Sequence, residues 1–377
     1  MSHAPHAITT LTLENFRNYR TLSLTLPPHP VVLRGKNGAG KTNILEALSL
    51  LSPGRGFRGA RLREMDANNA GGAPWVVATE VTTAGETSFI GTGRDGESSA
   101  EKRIIKINGG KVRGHAALAN HVCIQWLTPS MDQVFIEGGS ARRKLLDRIV
   151  YGFVPEHATR VQAYESAMRE RNRLLTDRMM ADPYWLSVLE QQMAEHAVAI
   201  TLARQEVLER LRHELVEKVA GFPRALVSLN GLIEDWLEEG ESALEAERKF
   251  AERLTEVRNL DTARVRASIG PQRSDFKVIH CEKNLPAESC STGEQKALLL
   301  SLMLAAARAR AAWCNVPPIL LLDEVIAHLD VDKRASLFDL IRATRIQAWM
   351  TGTDAADFKG LEGFSTILEI DGGTVKI

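Results

Sequence analysis

The sequence predicts an α/β fold in which an open-sheet core is interrupted by an α-helical insertion. Three observations predict it. A short apolar run, Val31-Val32-Leu33, leads into the glycine-rich loop Gly35-Lys36-Asn37-Gly38-Ala39-Gly40-Lys41-Thr42. A second apolar run, Ile319–Leu322, ends in the adjacent acids Asp323 and Glu324. Nearly three hundred residues lie between Lys41 and Asp323, and much of that stretch has helical periodicity.

Leu11 and Leu13, then Leu22, Leu24 and Leu26, alternate with polar residues. They predict two half-buried strands joined at Asn15–Arg20. Val31–Leu33 is a short buried strand, and Thr42–Leu51 reads as the helix after the glycine loop. From Trp75 to Ile107, strand-like runs alternate with turns such as Thr92-Gly93-Arg94-Asp95-Gly96. The character changes near Glu137. Residues 157–220 are charged and helical, with Leu189, Met193, Ala197, Ile200, Leu208, Leu211, Leu215 and Val219 at steps of three and four. Arg204 breaks that row, and Asp182-Pro183 is its expected start. Phe250, Leu254 and Val257 mark a further helical face. No heptad run is long enough for an extended coiled-coil arm. β character returns near Ser268. A helix after Ser291, the strand Ile319–Leu322, a helix over Asp332–Thr344, the strand Gln347–Thr351 and a C-terminal hairpin (Ser365–Ile370, Thr374–Ile377) complete the order.

The chain has 377 residues, 44% apolar and 25% charged, as a soluble globular protein does. Its 47 acids balance 47 Lys and Arg, so total charge lends nothing to nucleic-acid binding. Charge is unevenly spread, however. Between Met1 and Arg63 there are nine Lys/Arg against two acids, Glu14 and Glu46, which predicts a basic face. Cys123, Cys281, Cys290 and Cys314 show neither CxxC pairing nor histidines at metal-ligand spacing, so reduced thiols in a cytoplasmic protein are expected. The N-terminal residues lack a signal-peptide pattern. The most apolar stretch, Ala297–Ala307, is about half a membrane span, and no membrane association is expected.

The glycine loop has the spacing of a phosphate-binding loop. Its glycines let backbone N–H groups face phosphate oxygens, and the next helix begins with its positive dipole end there. Lys41 is expected on the β- and γ-phosphates of ATP, and Thr42, followed by Asn43, on Mg2+. Adjacent acids at the C-terminal end of a buried strand lie where an open α/β sheet places its ligand. Asp323 is therefore expected to hold Mg2+, and Glu324 to orient and deprotonate the attacking water. Ser291-Thr292-Gly293-Glu294-Gln295 reads as a capping box before an apolar helix, and a capped helix start is also an anion site. Its place about thirty residues before the acids resembles that of the signature loop in ABC-type ATPases, and this resemblance implies two chains sandwiching two ATP molecules.

Together these residues resemble the RecF family of the ABC/SMC class. Leu13-Glu14-Asn15-Phe16-Arg17-Asn18-Tyr19 opens the resemblance, and Gly54-Arg55-Gly56-Phe57-Arg58 follows the phosphate-loop helix. Gln125-Trp126-Leu127-Thr128-Pro129 resembles the Q-loop, Arg142-Arg143-Lys144-Leu145-Leu146-Asp147 the RR-x-x-LD segment, and Ala327-His328-Leu329-Asp330 the D-loop. The resemblance implies an ABC-type ATPase head with a β-rich lobe and a P-loop α/β core. Residues 1–136 and 261–377 would form it, with 137–260 as the inserted helical lobe. It implies that Gln125 senses Mg2+ and water, that Ser291, Gly293 and Glu294 reach ATP on the opposite subunit, and that Asp330 contacts that subunit. It implies ATP-dependent homodimerisation on double-stranded DNA or strand junctions, with RecO and RecR as partners in loading RecA at gaps. Arg55, Arg58, Arg61, Arg63, Arg142 and Arg143 are the candidate DNA contacts. The chain departs from the usual patterns in three places, the first being the signature, with Thr292 and Glu294 where transporter ATPases show Gly and Gln. Gln272 precedes Arg273-Ser274-Asp275 where the family has His, and Thr351 or Thr353 stands where a switch histidine is usual. Slow, DNA-stimulated hydrolysis acting as a switch is expected.

A transporter's nucleotide-binding subunit would share the phosphate loop, signature and acids. It would not account for the long insertion, Gly54–Arg58 or the basic N-terminal segment. A non-catalytic ATP-gated binding module is disfavoured by the presence of Lys41, Asp323 and Glu324 together.

Overall fold

A computed structural model describes residues 5–67, 71–96, 101–177, 182–217, 219 and 221–376. Met1–Ala4, Lys218, Ala220 and Ile377, which fall in segments read above, lie outside the described residues, as does the side chain of His328. The chain forms two compact units. One comprises residues 1–132, 218–222 and 299–377, and the other 133–217 and 223–298.

In the first unit, β1 (His6–Phe16) and β2 (Tyr19–Thr25) pair antiparallel, Leu11 opposite Leu24 and Leu13 opposite Leu22. The alternating leucines thus share one face, as a period of two requires. β3 (Val31–Arg34) and α1 (Lys41–Ser49) flank the glycine loop. β4 (Val76–Thr83), β5 (Glu86–Arg94), β6 (Arg103–Ile107) and β7 (Gly110–Val112) extend the first sheet, in the order β2-β1-β4-β5-β6-β7. β8 (Ile124–Leu127) ends this part of the chain.

The second unit holds α2 (Gly139–Tyr151), α3 (Glu156–Thr176) and α4 (Pro183–Val216). Asp182 caps α4 by accepting the Tyr184 N–H, and Pro183 takes the first turn, where no N–H partner is needed. At 34 residues α4 is about 51 Å long. Leu189, Met193, Ala197 and Ile200 are buried in one cluster with Phe250 and Leu254. The unit is not wholly helical. β9 (Ala225–Asn230) follows, then α5 (Leu232–Glu238), α6 (Ala243–Glu256) and α7 (Arg258–Arg264), and β10 (Asp275–His280) and β11 (Leu285–Pro286) join β9 in a three-stranded sheet.

α8 (Thr292–Cys314) begins in the second unit and ends in the first. β12 (Ile319–Leu322), α9 (Val331–Thr344), β13 (Ala348–Gly352), β14 (Thr366–Asp371) and β15 (Thr374–Lys376) complete the first unit. Its second sheet runs β15-β14-β3-β13-β12-β8, and every pairing except β14–β15 is parallel. Ile44, Leu45 and Leu48 of α1 share one core with Leu11 and Leu13 of β1, Leu33 of β3 and Trp349 of β13.

The unit boundaries differ from the expected 136/137 and 260/261. Pairing of β10 with β9 retains residues 261–298 in the second unit. The signature segment therefore belongs there rather than to the core.

Candidate functional site

The parallel sheet brings the two distant halves of the site together. β3 delivers the glycine loop and β12 delivers the acids, with β13 between them in the sheet. Thr42 Oγ1 donates to Asp323 Oδ1 at 3.0 Å across 281 residues of sequence. Lys41 is buried and its ammonium donates to the carbonyls of Gly35 at 2.6 Å and Lys36 at 2.9 Å. Burial pulls the Lys41 pKa down, while the charges of Glu324 and Asp323 pull it up. Burial raises the Asp323 carboxyl above its ordinary value, helped by Glu324, against the hydroxyls of Thr351 and Thr42 and the charge of Arg58.

The loop is braced from the β1–β2 turn. Asn18 Nδ2 donates to the Ala39 carbonyl at 3.1 Å and the Tyr19 hydroxyl to that of Gly40 at 3.1 Å, while Asn43 Nδ2 donates to Asn18 Oδ1 at 2.8 Å. Gly40 has φ +115°, and a Cβ there would lie 2.3 Å from Asn18 Nδ2. Only glycine satisfies both the backbone angle and the space. Asn37 and Gly38 are exposed at the loop's crest and Ala39 is buried beneath it.

Glu46 of α1 is buried and accepts hydrogen bonds from Arg17 and Arg58. Arg58 also donates to Asn43 Oδ1 at 2.9 Å. The Gly54–Arg58 segment thereby reaches the residue next to Thr42, a link its sequence position alone does not reveal. Arg103, half-buried behind this segment, donates to the Gly54 and Leu50 carbonyls, and desolvation lowers its pKa to about 10.

Gln125 is placed otherwise than expected. It pairs with Leu320, while Leu127 pairs with Leu322, so Gln125 lies three residues short of the level of Asp323. That is about 10 Å along a strand. Its side chain is fully buried and neither amide atom has a partner. At the strand end stand Leu127, whose carbonyl accepts the Asp323 N–H at 2.9 Å, and the buried Thr128. The register thus argues against direct metal contact by Gln125.

Ser291, Thr292 and Gly293 are exposed in the second unit. Glu294 accepts the Ser291 N–H at 2.9 Å, the backward arm of the capping box, and pairs with Lys283. Asp330 caps α9 by accepting the Lys333 N–H at 2.8 Å and is exposed. Among the candidate DNA contacts, Arg55, Arg61 and Arg63 are exposed. Arg142 and Arg143 are committed within the second unit. Arg142 donates to Asp275 and the Phe135 carbonyl, and Arg143 to the Ser274 carbonyl. Gln272, at the departure from the family pattern, accepts the Tyr164 hydroxyl at 2.6 Å and donates to the Ile269 carbonyl at 2.7 Å. It holds the turn in place with no titratable group.

Among the described residues no group of three or more His, Cys, Asp or Glu could hold a metal. A hydroxyl and a carboxylate 3.0 Å apart nevertheless fit Mg2+, which keeps several waters and takes most remaining oxygens from phosphates. Of the described helices, α8 alone is long and apolar enough to cross a membrane, and 72% of its most apolar window is buried in the protein.

A model described as RecF/RecN/SMC N terminal domain matches residues 7–375. The chain is 44% identical over 358 residues to the DNA replication and repair protein RecF of Agrobacterium fabrum, covering 94% of each chain. It is 43% identical over 376 residues to that of Rhizobium meliloti, covering 98% of this chain and 99% of the other. A solved structure described as the recombination mediator protein RecF-ATPrS in the RecFOR pathway superposes with a TM-score of 0.84 at 24% identity, over 100% of this chain and 99% of that one.

Proposed function

We infer function from one premise: the chain belongs to the RecF family, within the RecF/RecN/SMC N-terminal-domain group. Its relatives are named DNA replication and repair proteins, and we propose that this chain is an ATP-dependent DNA-binding protein of recombinational repair and replication restart. The observation that carries this reading is the Thr42–Asp323 hydrogen bond, which joins loop and acids into one site beside Lys41 and Glu324. The family resemblance extends the proposal to a cytoplasmic protein that dimerises with ATP on double-stranded DNA or strand junctions and helps RecO and RecR load RecA.

Lys41 exchanges its carbonyl partners for phosphate oxygens. Backbone N–H groups at the start of α1 would face the same charge, while the Ala39 N–H is held by the Lys36 carbonyl at 3.2 Å. Thr42 and Asp323 would hold Mg2+, and the ion would supply positive charge beside the phosphates. Glu324 orients the attacking water and takes its proton. Ser291 and Gly293 of one copy approach ATP on the other, with Asp330 at the same interface. Exposed Arg55, Arg61 and Arg63 supply phosphate contacts to DNA. The match to RecF proteins along nearly the whole of both chains supports this reading over a transporter subunit.

The test is phosphate release and DNA binding with duplex, gapped and single-stranded DNA, with and without ATP. Wild type is expected to release phosphate slowly and faster with DNA, and Lys41→Arg to bind ATP weakly without hydrolysing it. DNA affinity should fall steeply with salt, roughly tenfold per tenfold salt for each phosphate contacted. Absence of phosphate release with every DNA would remove the enzymatic reading.

A further inference from the structure

Thr351 lies on β13, the strand between those that deliver the phosphate loop and the acids, and is fully buried. It pairs with Leu33 of β3, and its neighbour Met350 pairs with Leu322 of β12. Its Oγ1 accepts the Glu324 N–H at 2.8 Å and donates to Asp323 Oδ1 at 2.9 Å. The direction of this chain is fixed. The amide can only donate and a carboxylate can only accept, so the single hydroxyl proton points to Asp323. Glu324 has φ +55°, a left-handed conformation that a side chain other than glycine adopts at a cost and keeps only where its surroundings enforce it. Thr353, the other threonine in this region, is exposed.

We propose that Thr351 is a positioning residue for hydrolysis. One hydroxyl holds the Glu324 backbone in its left-handed turn, and so aims the Glu324 carboxylate, while fixing the Asp323 oxygen that also accepts from Thr42. The metal-holding and water-activating groups are thereby set by one side chain that carries no titratable proton. Threonine suits this because its branched Cβ restricts χ1 and pre-sets the hydroxyl, whereas serine supplies the same bonds from a looser rotor. The proposal rests on the ATPase reading above.

The experiment compares Thr351→Val, Thr351→Ser and wild type by steady-state phosphate release, ATP affinity and amide exchange. Thr351→Val keeps the shape and removes the hydroxyl. Its kcat is expected to fall roughly tenfold to a hundredfold, the loss of one or two hydrogen bonds to charged or buried partners, with KM for ATP within about threefold. Thr351→Ser is expected to restore kcat to within about fivefold of wild type. In nucleotide-free protein, exchange of the peptide containing the Glu324 amide should quicken about tenfold or more in Thr351→Val and stay near wild type in Thr351→Ser. Unchanged kcat in Thr351→Val, unchanged exchange, or equal loss in both variants overturns the proposal. Thr351→Ala replaces Thr351→Val if the latter fails to fold. If wild type releases no phosphate, the ATPase reading falls, while the exchange comparison still decides whether the hydroxyl holds Glu324.

Discussion

His6 shows how much a single buried group can weigh. Its ring is 2% exposed on β1, and Nε2 accepts the Cys123 N–H at 3.2 Å. The ring proton therefore sits on Nδ1 and points to Thr83 Oγ1, 2.7 Å away. Burial, aided by the charge of Arg310, lowers its pKa to about 3. Unfolded, the ring would titrate near 6.5. The neutral ring thus contributes stability that is fully present above pH 6.5 and is lost as pH falls toward 3, at about 1.4 kcal/mol per pH unit. His6→Gln should remove that one-proton slope from the unfolding free energy between pH 6 and 4. Urea unfolding at several pH values measures it, and parallel profiles for variant and wild type would show that another group carries the slope. Nothing in the sequence marked this histidine, because its partners are 77 and 117 residues away. By contrast the phosphate-loop residues were legible, since their chemistry is written in consecutive positions. Gln125 was misplaced because a motif gives a residue's order along a strand but not its level against the neighbouring strand.

Among elements, the helices of the second unit are tied by charge as well as by apolar packing. Arg171 of α3 is fully buried and donates to Glu190 of α4 at 2.9 Å, to Asp261 of α7 at 2.7 Å and to the Leu254 carbonyl of α6 at 2.7 Å. Arg258 also pairs with Glu190. Burial alone would raise the Glu190 carboxyl, but the two arginines hold it below its ordinary value. Arg171→Met keeps much of the volume and strands Asp261 without its cation. A loss of about 3–5 kcal/mol in unfolding free energy is expected, as for other broken buried pairs. A loss below 1 kcal/mol in chemical denaturation would mean the carboxylates regain solvent. The start of α4 was legible from Asp182-Pro183, and the interruption of its apolar row by Arg204 now has a cause. Arg204 donates to both oxygens of Asp147 and to the Pro271 carbonyl. Burial would raise the Asp147 carboxyl, but Arg204 and His157 keep it well below the carboxylate range. β character was expected near Ser268, where β10 follows, but β9 and its pairing with β10 were missed. β9 is six residues long, and its antiparallel partner lies beyond three helices, so no local hairpin signal exists.

At the scale of the whole molecule, the proposed assembly of two copies around ATP would use the signature residues and Asp330, which are exposed. Ser291→Arg places a bulky cation at the start of α8 and should abolish ATP-dependent dimerisation while leaving the ATP affinity of the single chain within about threefold. Light scattering with and without ATP reads the outcome, and an undiminished ATP-dependent dimer would overturn the two-copy arrangement. The fold class and order of parts were legible because glycine loop, acids and helical periodicity are each local patterns. The unit boundaries were not, because they depend on β10 pairing with a strand 45 to 55 residues earlier in register. The parallel sheet also sets an order of assembly during synthesis. β3 pairs only with β13 and β14, so Val31, Val32 and Leu33 leave the ribosome long before either neighbour exists. At 5–20 residues per second, Thr42 waits roughly 15–60 s for Asp323. The nascent chain therefore carries all the residues of its second unit while the strand before the glycine loop is still bare on both edges, and the Thr42–Asp323 bond can form only once β12 has been made.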